Sequence, residues 1–151
     1  MTLRTIDIKL IHFFRAISEP MARFGLFVVF FWFGSLKVFG LSPANPLVGA
    51  LLTQTMPFWP FESFIIFFGI FECVIGILFL VKGMERVVIP LLFFHMFTTL
   101  MPIILLPKIA WQEFMVPTLE GQYIIKNLVI IAAAIGIAAN LHPIHKINHT
   151  K

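Results

Sequence analysis

Four stretches of apolar residues, each long enough for a membrane-crossing helix, alternate along this chain with short polar or proline-rich segments. They lie at about 24–41, 62–81, 87–106 and 123–141. Each supplies the roughly 20 mostly apolar residues that a helix needs to cross a hydrocarbon core about 30 Å thick. The pattern predicts an all-α, integral membrane four-helix bundle forming a single domain. Ahead of the first stretch, Ile6, Leu10, Phe13 and Ile17 recur at helical spacing among Arg4, Lys9, His12 and Arg15. That is the pattern of an amphipathic helix over 3–18 lying at the membrane surface, held by lipid headgroups. Pro20 suits the first turn of a new helix after it. Ser42, Pro43, Asn45 and Pro46 end the first span, and the apolar stretch 47–56 is too short to cross, which predicts a short helix at the far interface. Trp59 follows where an interfacial aromatic belt would place it. Pro90 and Pro102 fall inside the third span, where neighbouring helices must satisfy the freed backbone groups.

Composition agrees with lipid as the main solvent: 60% of residues are hydrophobic and only 12% charged. Mean hydropathy is +0.99. The net charge of +4 does not point to nucleic acid, because Lys and Arg are scattered between apolar blocks instead of forming a basic face. They read as topology signals. Placing the N-terminal segment, the loop 82–86 and the tail on one side gathers Arg4, Lys9, Arg15, Arg23, Lys82, Arg86, Lys146 and Lys151 there, leaving Lys37, Lys108 and Lys126 on the other. By the positive-inside tendency the richer side, with both termini, is cytoplasmic. Residues 1–18 carry charges throughout and lack the apolar centre of a cleaved signal peptide. The single cysteine, Cys73, excludes an internal disulfide and a cysteine metal cluster within one chain. No metal site is expected: His95 is the only histidine inside a span, and the tail histidines read as solvated.

The ionisable residues inside the spans carry the candidate chemistry. A carboxylate at the centre of a span costs about 2.5 to 3.5 kcal/mol on insertion scales, and Glu72 lies roughly 15 Å from the far interface at 1.5 Å per residue. Gly69, Gly76 and Gly83 share its helix face, a stripe that lets another helix approach closely, so Glu72 is expected to face protein. His95 and Trp32 fall near the same depth, Lys37, Lys126 and Asn127 lie nearer the far interface, and Thr98 and Thr99 sit between the two levels. Together these residues draw a polar track from the midplane outward. The candidate ligand-binding set is Glu72, His95, Trp32, Lys37, Lys126 and Asn127. Two blander assignments fit equally: Lys37 and Lys126 as snorkelling lysines, and His95 as a core histidine bonded to Glu72.

The segments RFGLFVVFFWFGSLKVFGLSPANPLV, FFGIFECVIGILFLVKGMERV and TLEGQYIIKNLVII resemble the YkgB/RclC family of bacterial inner-membrane proteins, beside the wider DoxX-like superfamily. The likeness runs over nearly the whole chain. Its motifs are G-x-x-K at Gly34 to Lys37 and G-x-x-E-x-x-x-G at Gly69, Glu72 and Gly76. The resemblance implies a four-helix bundle in the bacterial inner membrane and an association with oxidative or reactive-chlorine stress. Through DoxX-like relatives linked to quinone-coupled oxidation it also brings a quinone into view. Three functions stay open at this point. One is a midplane pocket for a quinone or other small amphiphile. Another is proton or small-ion transport along the polar track. The last is a non-catalytic scaffold subunit of a membrane oxidoreductase complex, whose Gly and Ala positions in 132–138 pack on a partner membrane protein or a second copy. Whether the chain is an enzyme is left open by its residues.

Overall fold

The structure, a computed structural model, describes residues 3–142. The histidine and lysine positions predicted for the tail beyond 142 lie outside the described residues. The chain is a multi-pass membrane protein with four helices long and apolar enough to cross a bilayer. These are α1 (Leu3–Val38), α3 (Phe61–Leu80), α4 (Glu85–Leu100) with its short continuation α5 (Pro102–Leu105), and α7 (Leu119–Ala139). The short α2 (Asn45–Thr55) links α1 to α3, and α6 (Pro107–Ala110) leads into a small hairpin, β1 (Trp111–Glu113) with β2 (Val116–Pro117).

Helices cover most of each predicted window, and two readings of the sequence need correction. A new helix beginning near Pro20 is absent, because α1 runs through Pro20 as one helix of 36 residues. At about 1.5 Å per residue it is far longer than a hydrocarbon core is thick. Pro20 leaves the carbonyl of Ala16 without an intrahelical donor. Both residues are exposed, so that carbonyl is not sealed inside the bundle. Residues 3–16 are exposed along their whole length, with Ile6, Leu10 and Phe13 among them. The other correction concerns 107–122, one of the polar and proline-containing segments between the apolar windows. It holds a helical turn and a two-stranded hairpin, a small β addition to the all-α class. Strands of three and two residues are too short to show a two-residue periodicity. Contacts to α6 hold this segment: Thr118 caps α7 by accepting from the Gly121 N–H at 3.0 Å and donates to the Ile109 carbonyl at 2.6 Å.

Glycine decides the main helix contact. α1 and α3 form the most extensive helix pair, and they cross where side chains are missing. A Cβ on Gly69 would lie 2.6 Å from the Gly34 carbonyl oxygen, one on Gly34 2.5 Å from the Gly69 oxygen, and one on Gly76 2.9 Å from the Phe31 nitrogen. Gly69 and Gly76 thus act as their stripe predicted. Gly83 does not: it lies past the end of α3 with φ of +90°, a turn conformation that only glycine adopts without strain.

Close packing continues toward one end of the bundle. There Phe30, Ile75, Phe79, Val88, Leu92 and Ile137 form a core contributed by α1, α3, α4 and α7. Ion pairs tie off this end: Arg23 donates to Glu85 at 2.5 Å and to Glu19 at 2.7 Å. Arg86 donates to the His142 carbonyl at 2.6 Å. The α3–α4 loop and the end of α7 therefore sit together at a basic end. At the opposite end the helices part, and α2 fills the gap between α3 and α5.

Replacing Gly34 or Gly69 by Ala is expected to destabilise the protein by about 1 to 3 kcal/mol through overpacking against backbone. Gly136, with no atom within 4 Å of its built Cβ, should accept Ala with little change. Thermal unfolding in detergent compares the three.

Candidate functional site

Helical spacing brings three ionisable side chains to one point. On α1 the buried positions Leu26, Phe30, Gly34 and Lys37 form one stripe, and on α3 Ile65, Gly69, Glu72 and Gly76 form another. On α4, Val88, Leu92 and His95 continue a third stripe. Because the glycines bring α1 and α3 together, Lys37 reaches Glu72 directly: its Nζ donates to Oε2 at 2.6 Å. The other carboxylate oxygen, Oε1, lies 2.9 Å from Nε2 of His95. Lys37 and Glu72 are each 5% exposed and His95 3%, so all three are withdrawn from lipid.

A buried charge is costly unless it is paired and hydrogen-bonded, and the triad meets both conditions. An ionised carboxylate only accepts, so opposite it Nε2 of His95 carries the proton that bonds Oε1. The Thr99 hydroxyl lies 3.3 Å from Nδ1 and 2.9 Å from the His95 carbonyl oxygen. Thr98 donates to the same carbonyl at 2.7 Å. Aromatic rings complete the setting. Phe68 stacks on the imidazole at 5.0 Å and 10°, and Phe30 meets it edge-on at 5.3 Å. The Phe68 ring also lies 5.5 Å from Lys37 Nζ, a cation–π distance.

Lys37, Glu72 and Phe68 of this cluster form part of the wall of a cavity of about 580 Å³ at the end of the bundle away from the basic residues, with His95 behind them. Lys37, Glu72, Thr98 and Thr99 are its principal polar lining. Most of the rest is apolar: Phe64, Phe67 and Phe71 of α3, Phe94 of α4, and the α2 face that carries Leu47, Val48 and Leu51. Phe67 and Phe94 are 53% and 64% exposed, so the cavity is bordered by side chains on the lipid-facing surface of α3 and α4.

The structure brings together Lys37, Glu72 and His95 from the predicted set and leaves the other three apart. Trp32 is 64% exposed on the outward face of α1, at the right depth but the wrong side of the helix. Lys126 is exposed, with its Nζ 4.9 Å over the Tyr123 ring of its own helix, as a snorkelling lysine would be. Asn127 is half-buried and, among the described residues, makes no hydrogen bond to the cluster. Lys37 is the reverse case, buried and paired instead of snorkelling. Two features escaped sequence reasoning: the Phe30 and Phe68 rings around His95, and the use of α2 as a cavity wall. Phe30 had a visible signal, since it lies on the same helical stripe as Gly34 and Lys37.

No family model, curated protein or solved structure matches this chain. The resemblance to the YkgB/RclC family rests on the sequence motifs alone.

Removing one member of a buried pair strands the other, at a cost of about 3 to 5 kcal/mol. Lys37→Met is therefore expected to lower the unfolding temperature sharply. Lys126→Met and Trp32→Phe, both outside the cluster, should each stay within about 0.5 kcal/mol of the parent. A shared unfolding assay in detergent checks all three.

Proposed function

We propose that this is a bacterial inner-membrane protein of the oxidative or reactive-chlorine stress response that binds a quinone or other small amphiphile in the α2–α3–α4 cavity. The observation that carries the binding role is a buried Lys37–Glu72 pair in the wall of an apolar cavity of about 580 Å³, with His95 bonded to Glu72 behind it. That volume falls in the range of small-molecule sites, which are mostly apolar with a few placed polar groups. The exposed Phe67 and Phe94 at its border favour a ligand that arrives from the bilayer. The stress association comes from the sequence resemblance. Orientation follows from charge: Arg23, Lys82 and Arg86 lie at one end, and the positive-inside tendency makes that end, with both termini, cytoplasmic. The exposed apolar and basic residues of 3–16 then belong with anionic headgroups.

Transport along the polar track is less well supported. Between the His95 level and the Arg23 pairs stands a core in which Ile75, Phe79, Val88 and Leu92 are fully buried and close-packed. A proton or ion would find no polar partner there among the described residues.

Native mass spectrometry of the protein released from its own membranes tests the binding role. The wild type should carry a non-phospholipid amphiphile, and Val48→Trp, which fills the cavity from α2, should lose it. An empty wild type, or a ligand retained by Val48→Trp, would reject the cavity as its site.

A further inference from the structure

We infer that Lys37 is the group that touches the ligand, that Glu72 sets which head group is accepted, and that the accepted head is an uncharged oxygen acceptor such as an ester or ketone carbonyl. This rests on the cavity being a binding site, as proposed above.

An inventory of donors and acceptors leads there. Both oxygens of Glu72 are committed, one to Lys37 and one to His95. The hydroxyls of Thr98 and Thr99 both lie within donating distance of the His95 carbonyl. An ammonium has three N–H groups. One of those on Lys37 goes to Glu72, and the remaining two have no hydrogen-bond acceptor among the described residues, while Lys37 lines the cavity. The cavity thus offers free donors on Lys37, whereas each oxygen of Glu72 already accepts one bond within the cluster. Glu72 and His95 are positioning residues: His95 holds one oxygen of Glu72 so that the other holds Lys37.

Charge then selects the head. Within the ion pair the Lys37 and Glu72 charges cancel. The other walls add nothing to that balance, since α2 has no titratable residue and Lys126 of α7 is exposed outside. A carboxylate ligand would bring a second negative charge beside Glu72 in an apolar cavity, where charge repulsion is weakly screened. A carbonyl oxygen accepts from Lys37 and leaves the site neutral.

Trp59 lines the cavity and supplies the reporter. In a Trp32→Phe/Trp111→Phe background it is the sole tryptophan of three. Quenching of its fluorescence is titrated in dodecyl maltoside micelles, which contain no carbonyl groups. The probes are three bromine-tagged chains of equal length: bromohexadecane, ω-bromohexadecanoate and the methyl ester of that acid. One hydrogen bond from a charged donor should make the ester bind roughly 10-fold or more tighter than the alkane, with the acid weaker than the ester. Glu72→Gln leaves Lys37 uncompensated and should invert the order, so that the acid outbinds the ester, an inversion that a purely structural role for Glu72 would not produce. Lys37→Met/Glu72→Leu leaves neither a charge nor a donor at that ion pair and should reduce the ester to the affinity of the alkane. If no chain quenches Trp59, the cavity itself is not a binding site and both readings fall. If the three chains bind alike, or if Glu72→Gln keeps the parental order, the cavity stands and the head-group assignment is overturned.

Discussion

Everything about this bundle follows from the burial of a lysine and a glutamate at membrane depth. Neither charge is stable alone in hydrocarbon, and the two meet only because α1 and α3 approach to backbone contact at Gly34, Gly69 and Gly76. The glycines and the ion pair are one device. The close crossing puts Nζ of Lys37 within 2.6 Å of Glu72, and the ion pair makes that crossing worth keeping against the alternative of lipid on both faces. His95 then joins from α4, so that three of the four spans are tied at a single point.

That point also divides the molecule. Toward the basic end the spans are packed on one another through an apolar core and tied by Arg23 to Glu85. On the other side they part around the cavity, with α2 as one wall and Pro102, which opens α5, as part of another. A polar cluster at the boundary between a packed half and an open half is suited to recognising a molecule that enters from one side. It is poorly suited to passing an ion through, since the packed half offers no polar continuation among the described residues.

Much of this was legible in the residues. The spans could be read because apolar length is nearly all that a bilayer demands, and Glu72 stood out because a carboxylate at that depth must have a partner. Lys37 and His95 were legible in depth and in chemistry. Trp32 was misplaced because depth gives a level along a helix and says nothing of direction around it. At 100° per residue, Trp32 points about 200° from Gly34, away from the stripe shared by Leu26, Phe30 and Lys37. The continuity of α1 through Pro20 was hidden for a related reason. A proline ends a helix when the freed carbonyl cannot be satisfied, and that depends on the exposure of Ala16, a tertiary property. The role of α2 as a wall was equally out of reach, since a short apolar helix has no pattern that reveals what it will cover.

The arrangement of the bundle requires Glu72 to be ionised and paired with Lys37 inside the membrane. Infrared difference spectroscopy of the wild type against Glu72→Gln, with the protein in lipid, reads this charge state. With the ion pair in place, the substitution removes carboxylate stretching bands. Loss of the C=O band of a protonated carboxylic acid instead would mean that no ion pair exists at this site.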